Sequence, residues 1–171
     1  TWQSDVTLKK LPKKTRGVRN TGKSIETFSV QVKDAKGNLT QAAIPAVSII
    51  KDGGFTSIEF GEDPALEGDL LAAIAHKLWL GKLAGFIVEG LVPYGNMTSK
   101  SRLQLMTQAV FSGLPVARVG RGAPEGFADD HPLLIAGSNL TATKARLLLM
   151  ACLLKFGALP VAKDPTKPTP A

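Results

Sequence analysis

A chain of 171 residues with 44% hydrophobic residues is long enough to bury one full core, and two independent cores are not expected. It contains no 18-residue apolar run, and Thr1-Trp2-Gln3-Ser4-Asp5 has neither the basic start nor the apolar centre of a secretory signal, so no membrane span or targeting segment is expected and the compartment stays open between cytoplasm and periplasm. The single cysteine, Cys152, excludes a disulfide framework within one chain, and two distant histidines, His76 and His131, make no zinc set with it. The net charge of +7 is local: residues 1–40 carry nine Lys or Arg against three acids, while the other 131 residues sum to +1. That basic stretch holds only Trp2 and Phe28 as aromatics, so it lacks the interleaved rings of a single-strand binder. It reads as a solvated or partner-facing segment, and no nucleic-acid partner is expected.

In chain order, residues 1–43 are poor in apolar side chains and punctuated by Gly17, Gly22 and Gly37. They read as a linker with a possible short hairpin, strands 27–32 and 39–44 turning at Asp34-Ala35-Lys36-Gly37-Asn38. Val47-Ser48-Ile49-Ile50 is a strand of the buried type. Leu66, Leu70, Ile74 and Leu78, spaced by four, predict a helix over 65–80, followed by a strand at Phe86-Ile87-Val88. Thr98 is placed to cap a helix reaching about Phe111; strands follow at 115–119 and 133–136. The last helix, 141–156, has Asn139 or Thr141 as its cap and Gly157 as its stop. Its residues 147–154 are all apolar, too many for one stripe, so a sheet, another helix or another subunit must cover them. Alternating strands and helices through about 110 residues predict an α/β fold: a small parallel β-sheet of about four strands with helices on both faces, three-layered in the flavodoxin-like or Rossmann-like manner, preceded by the basic linker. The divisions are residues 1–43, an α/β domain at 44–160, and a Pro-rich tail at 161–171.

In such a sheet ligands bind beyond the carboxyl ends of the strands. Two loops qualify: 89–97, which contains Tyr94-Gly95-Asn96, and 120–132, about twice the usual length for such a connection. The second concentrates Arg121, Glu125, Asp129, Asp130 and His131, groups able to hold a zwitterionic amino acid through paired charges. Taken singly, each is as ordinary on a protein surface, and His76 falls on the polar side of its helix. Arg118 to Gly122 is glycine-rich without a dinucleotide fingerprint and reads as turn chemistry; Gly-x-Ser-x-Gly and the phosphate-loop pattern are absent. Thr1 has the chemistry of an amino-terminal nucleophile but leads into a basic, apolar-poor segment instead of a buried strand, and Cys152 reads as a small core residue.

Several pieces, in order, resemble the carboxyl-terminal domain of bacterial-type L-asparaginases: the strand 46–50; Leu83-Ala84-Gly85-Phe86-Ile87-Val88-Glu89-Gly90 with Tyr94-Gly95-Asn96; Ala109-Val110-Phe111-Ser112-Gly113-Leu114-Pro115-Val116; Arg118 with Gly120-Arg121-Gly122; and 136–154. Ser4-Asp5-Val6-Thr7 followed by Lys9 resembles the segment that closes the family's amino-terminal domain. The resemblance implies an amidohydrolase that converts L-asparagine, with L-glutamine as a further substrate, to the acid and ammonia without a cofactor or metal. It implies that the nucleophilic threonines lie in an amino-terminal catalytic domain whose Thr-Gly-Gly-Thr motif this chain lacks, so the chain has no catalytic residue and is inactive alone. It also implies a homo-oligomer, a dimer of dimers, in which this domain completes a neighbour's site through a Gly-Asn-Gly-Asn loop and a later acidic residue. Tyr94, standing where the first asparagine of that loop would be, Asn96 and Glu125 are the corresponding substrate-binding candidates. The alternative is a non-catalytic α/β module that binds a small amino acid or mediates assembly.

Overall fold

The computed structural model describes residues 10–52, 63–91, 95–97, 99–121 and 131–165. Its centre is a parallel sheet of four strands, β3 (Ala46–Lys51), β4 (Ala84–Gly90), β5 (Val116–Gly120) and β6 (Ile135–Ala136), lying side by side in chain order. Helix α1 (Gly68–Leu80) joins β3 to β4, α2 (Lys100–Phe111) joins β4 to β5, and α3 (Ala142–Phe156) follows β6. Because the strand order never reverses and crossovers keep one hand, α1 and α2 share a face and α3 takes the other. The core divides accordingly. Phe86, Val88 and Val116 meet Leu70, Ile74, Leu105 and Met106 on one side, while Val47, Ile87 and Val119 meet Ala145, Leu149 and Leu153 on the other. β4 is buried on both faces, which is why its sequence is apolar from Ala84 to Val88 instead of alternating. The three-layer α/β architecture expected from the sequence is therefore the one observed.

The basic amino-terminal stretch folds differently from its expected form. Two strands, β1 (Lys14–Asn20) and β2 (Ile25–Gln31), make an antiparallel hairpin around residues 21–24, with Gly17 opposite Phe28 and Val18 opposite Thr27. The expected pairing of 27–32 with 39–44 reduces to a single bridge between Lys33 and Leu39, and Gln41–Ala43 is a 3-10 turn. β2 thus has a different partner. β1 escapes a sequence reading because Lys14-Thr15-Arg16-Gly17-Val18-Arg19-Asn20 offers one large apolar side chain. Val18 nevertheless enters the α1/α2 cluster, and Val30 and Val32 enter the α3 cluster. The hairpin closes the amino-terminal end of the sheet. Val18 N–H donates to the Lys82 carbonyl, and the Arg16 guanidinium donates through Nε and Nη2 to the Ala158 carbonyl at 2.9 and 2.7 Å.

Two helix boundaries carry their chemistry openly. Thr141 caps α3 by accepting from Lys144 N–H, and Gly157, at φ +79°, ends it. For α2 the capping residue is Ser99, one position after the expected Thr98, which lies outside the described residues; Ser99 Oγ accepts from Arg102 N–H at 3.3 Å. The apolar run on α3 is only partly covered. Ala142, Ala145, Leu149 and Leu153 are buried against the sheet, and each leucine contributes about 1.5–3 kcal/mol. Leu147 stays 63% exposed and Leu148, Met150, Ala151 and Cys152 are half-buried. Among the described residues, no helix is long and apolar enough to cross a membrane.

Candidate functional site

At the carboxyl end of the sheet β3, β4 and β5 each deliver polar residues. β3 runs into Asp52, which is 1% exposed. β4 ends at Glu89 and Gly90, and β5 carries Arg118 and leads to Arg121. These groups are joined across long stretches of sequence. Arg102, on the first turn of α2, sets Nη1 2.9 Å from Asp52 Oδ1 and Nε 3.3 Å from the Glu67 carboxylate. Ser101 Oγ donates to the same carboxylate at 3.0 Å. Arg121 Nη2 donates to the Asp52 carbonyl at 2.5 Å, and its Nε lies 3.5 Å from Glu89 Oε1. One arginine thus ties the ends of β3, β4 and β5, and a second ties β3 to the start of α2. A buried carboxylate is tolerable only with such donors around it.

The turn after β4 is built on the same frame. Leu91 N–H donates to the Asn96 carbonyl at 2.9 Å, Gly95 N–H donates back to the Leu91 carbonyl at 2.7 Å, and Arg121 N–H donates to the Gly90 carbonyl at 3.2 Å. Gly95 is required here: its φ is +69°, and a Cβ would lie 2.7 Å from the Val119 carbonyl oxygen. The turn therefore sits directly on the end of β5. Asn96 is exposed, and its Oδ1 accepts from Nη1 of the buried Arg118 at 3.4 Å.

Of the three expected substrate-binding residues the structure places Asn96 at this end of the sheet; Tyr94 and Glu125 lie outside the described residues, as do Asp129 and Asp130. Arg121 and His131 from the long loop are described. Arg121 is engaged with the frame just outlined, and His131 is half-buried, accepting from Leu133 N–H through Nδ1 at 3.2 Å. Burial, and then the positive charge of Arg118, lower the pKa of His131. His76 is exposed, in keeping with its expected position. Arg118 corrects the reading of 118–122 as turn chemistry. It belongs to β5, opposite Val88 and Ala136, and its side chain is 6% exposed. Cys152 is half-buried and burial raises its thiol pKa, which makes it a poor nucleophile. Thr1 lies outside the described residues.

Sequence reasoning passed over Asp52, Glu67, Glu89 and Arg102. The available signal was positional: an acid directly after a strand of the buried type, and an arginine in the first turn of the helix that returns to it. Among the described residues no cluster of three or more His, Cys, Asp or Glu side chains is placed to hold a metal ion. A cleft of about 420 Å³ opens between β6 and α3, lined by Ile135, Gly137, Leu148 and Cys152 among others; it is predominantly apolar and lies on the other face of β5 from Arg118.

No protein-family model and no curated protein matches this chain. Among solved structures it is similar to a probable cytoplasmic L-asparaginase from Campylobacter jejuni, at 18% identity and a TM-score of 0.49, over 83% of this chain and 41% of that one. The chain therefore spans less than half the length of that protein.

Proposed function

We propose that this chain is the carboxyl-terminal part of an L-asparaginase-type amidohydrolase. In that reaction a threonine hydroxyl attacks the side-chain amide of asparagine, ammonia leaves, and water cleaves the acyl-enzyme to aspartate. The threonines belong to an amino-terminal domain outside these 171 residues. This chain contributes the α/β domain at 44–160, with 1–43 as the end of the preceding domain and its connection, folded back as the basic hairpin, and 161–171 as a tail. In a homo-oligomer built as a dimer of dimers, Tyr94, Asn96 and Glu125 reach a neighbouring subunit's site and orient L-asparagine, with L-glutamine as a further substrate. No cofactor, metal, membrane or nucleic acid enters the reaction. The partly exposed apolar side of α3 serves assembly.

The observation that carries this reading is the position of the Gly95-Asn96 turn. This turn, one of the pieces that carry the resemblance, falls at the carboxyl end of β4, against the end of β5, where an open parallel sheet offers its ligand site. Ammonia release from L-asparagine by the complete gene product tests it. Turnover is expected from the complete protein and none from these 171 residues alone. A gene that encodes no upstream threonine-bearing domain overturns the reading. Calorimetric binding of asparagine or aspartate without turnover in the complete protein favours a non-catalytic module instead.

A further inference from the structure

Arg118 and Asn96 together specify which end of a carboxamide faces outward. A guanidinium has only donors, so the Asn96 atom 3.4 Å from Arg118 Nη1 must be the oxygen; reversing the amide would set N–H against N–H. With Oδ1 so engaged, Nδ2 and its two N–H donors are turned away from Arg118. The backbone beneath is held as firmly. Asn96 accepts from Leu91 N–H through its carbonyl, and Gly95 is seated on Val119. Arg118, 6% exposed and paired along β5 with both neighbouring strands, has little freedom to move. A donor group presented on an exposed residue and backed by a buried cation suits an oxygen acceptor, and the positive charge behind it favours an anionic one.

We infer that Arg118 is a positioning residue that holds the Asn96 carboxamide with its N–H donors outward to receive a carboxylate oxygen of a small amino acid. This rests on the amidohydrolase reading for the identity of the ligand, but the orientation itself does not.

The test uses the complete, ¹⁵N-labelled protein and follows the Asn96 side-chain NH₂ signals, assigned by their loss in Asn96→Ser, together with steady-state kinetics on L-asparagine. In the native protein L-aspartate is expected to shift those signals. In Arg118→Met they should move to the values of a free asparagine side chain, with KM raised about tenfold or more and kcat within about twofold, and Arg118→Lys should restore part of the loss. Should the buried Met substitution impair folding, Asn96→Asp provides the second arm. It keeps an oxygen toward Arg118 but presents oxygen to the ligand, and should raise KM at least as far with the fold intact. Unchanged Asn96 signals in a folded Arg118→Met protein overturn the positioning role. Normal turnover with an unaltered KM in Asn96→Asp overturns carboxylate recognition while leaving the amidohydrolase reading standing. Absence of both aspartate binding and turnover in the native protein overturns the ligand assignment and the amidohydrolase reading together.

Discussion

At the carboxyl end of the sheet Arg102, Arg118 and Arg121 are each engaged with an acid, a carbonyl or a carboxamide, and they hold loops that are distant in sequence. At the amino end the hairpin leaves Lys13, Lys14, Lys23 and Lys36 in water, and its arginines do local work. Arg16 holds the Ala158 carbonyl after α3, and Arg19 lies over the Phe28 ring at 5.4 Å. Lys77 stands between these cases. It is 6% exposed, donates to the Ala46 carbonyl at the start of β3, and lies 4.9 Å from the Phe86 ring centroid. The contrast shows that net charge is a poor guide to where charge matters. The stretch with the surplus is mostly solvated, whereas four cations of the nearly neutral remainder, Lys77, Arg102, Arg118 and Arg121, are wholly or partly withdrawn from water, where desolvation makes each partner count.

The contrast between the two ends is tested most severely by Asp52→Ala, which strips the buried end of its carboxylate and leaves Arg102 with half its pairing. A loss of about 3–5 kcal/mol is expected in denaturant unfolding. A loss below about 1 kcal/mol would mean that the carboxyl-end network behaves like a surface one.

Lys77 gives the next largest effect, read through pH. Burial first, and the like charge of Arg146 second, lower its pKa from 10.5 to about 8. Between those values the unfolded chain binds more protons than the folded one, so stability rises as pH climbs from 8 to 10.5; below pH 8 both states are protonated and the full penalty stands. The unfolding free energy of the native protein should therefore gain roughly 3 kcal/mol on that of Lys77→Met across this window. A constant difference between the two proteins would place Lys77 in water with the hairpin lysines.

Gly157→Ala probes how tightly α3 is seated on the hairpin. At φ +79° an added Cβ would lie 2.6 Å from both the Arg16 carbonyl oxygen and Thr15 Oγ1, so a loss of about 1–3 kcal/mol in thermal or denaturant unfolding is expected. The smallest effect belongs to the exposed hairpin tip. Lys23→Gln should change stability by less than about 0.5 kcal/mol, and a larger loss would show that the amino end depends on its charge.

The two ends were not equally legible from sequence. β4 announces itself because a parallel strand covered on both faces is apolar along its covered length, here Ala84 to Val88, β3 and β5 show through their short β-branched runs, and Thr141 and Gly157 mark α3 because capping and left-handed stops are local chemistry. β1 gave no such signal, since its burial comes from docking and one valine is too little pattern to read. At the candidate site the loop after β4 was legible through Gly90 and Gly95, and Asn96 was singled out within it only by the family resemblance, whereas Asp52 and Arg102 meet across 50 residues, a separation that periodicity does not register.

Local pattern carries the alternation of strands and helices, and hence a parallel sheet whose carboxyl-end loops follow β4 and β5. Those features follow from short-range periodicity, capping and the hand of crossover connections. Which strand pairs with β2, which side of α3 is covered, and which end of the Asn96 amide meets Arg118 emerge only in the folded chain. Each of these depends on groups that chain order keeps apart and that meet only when burial forces polar atoms to find partners.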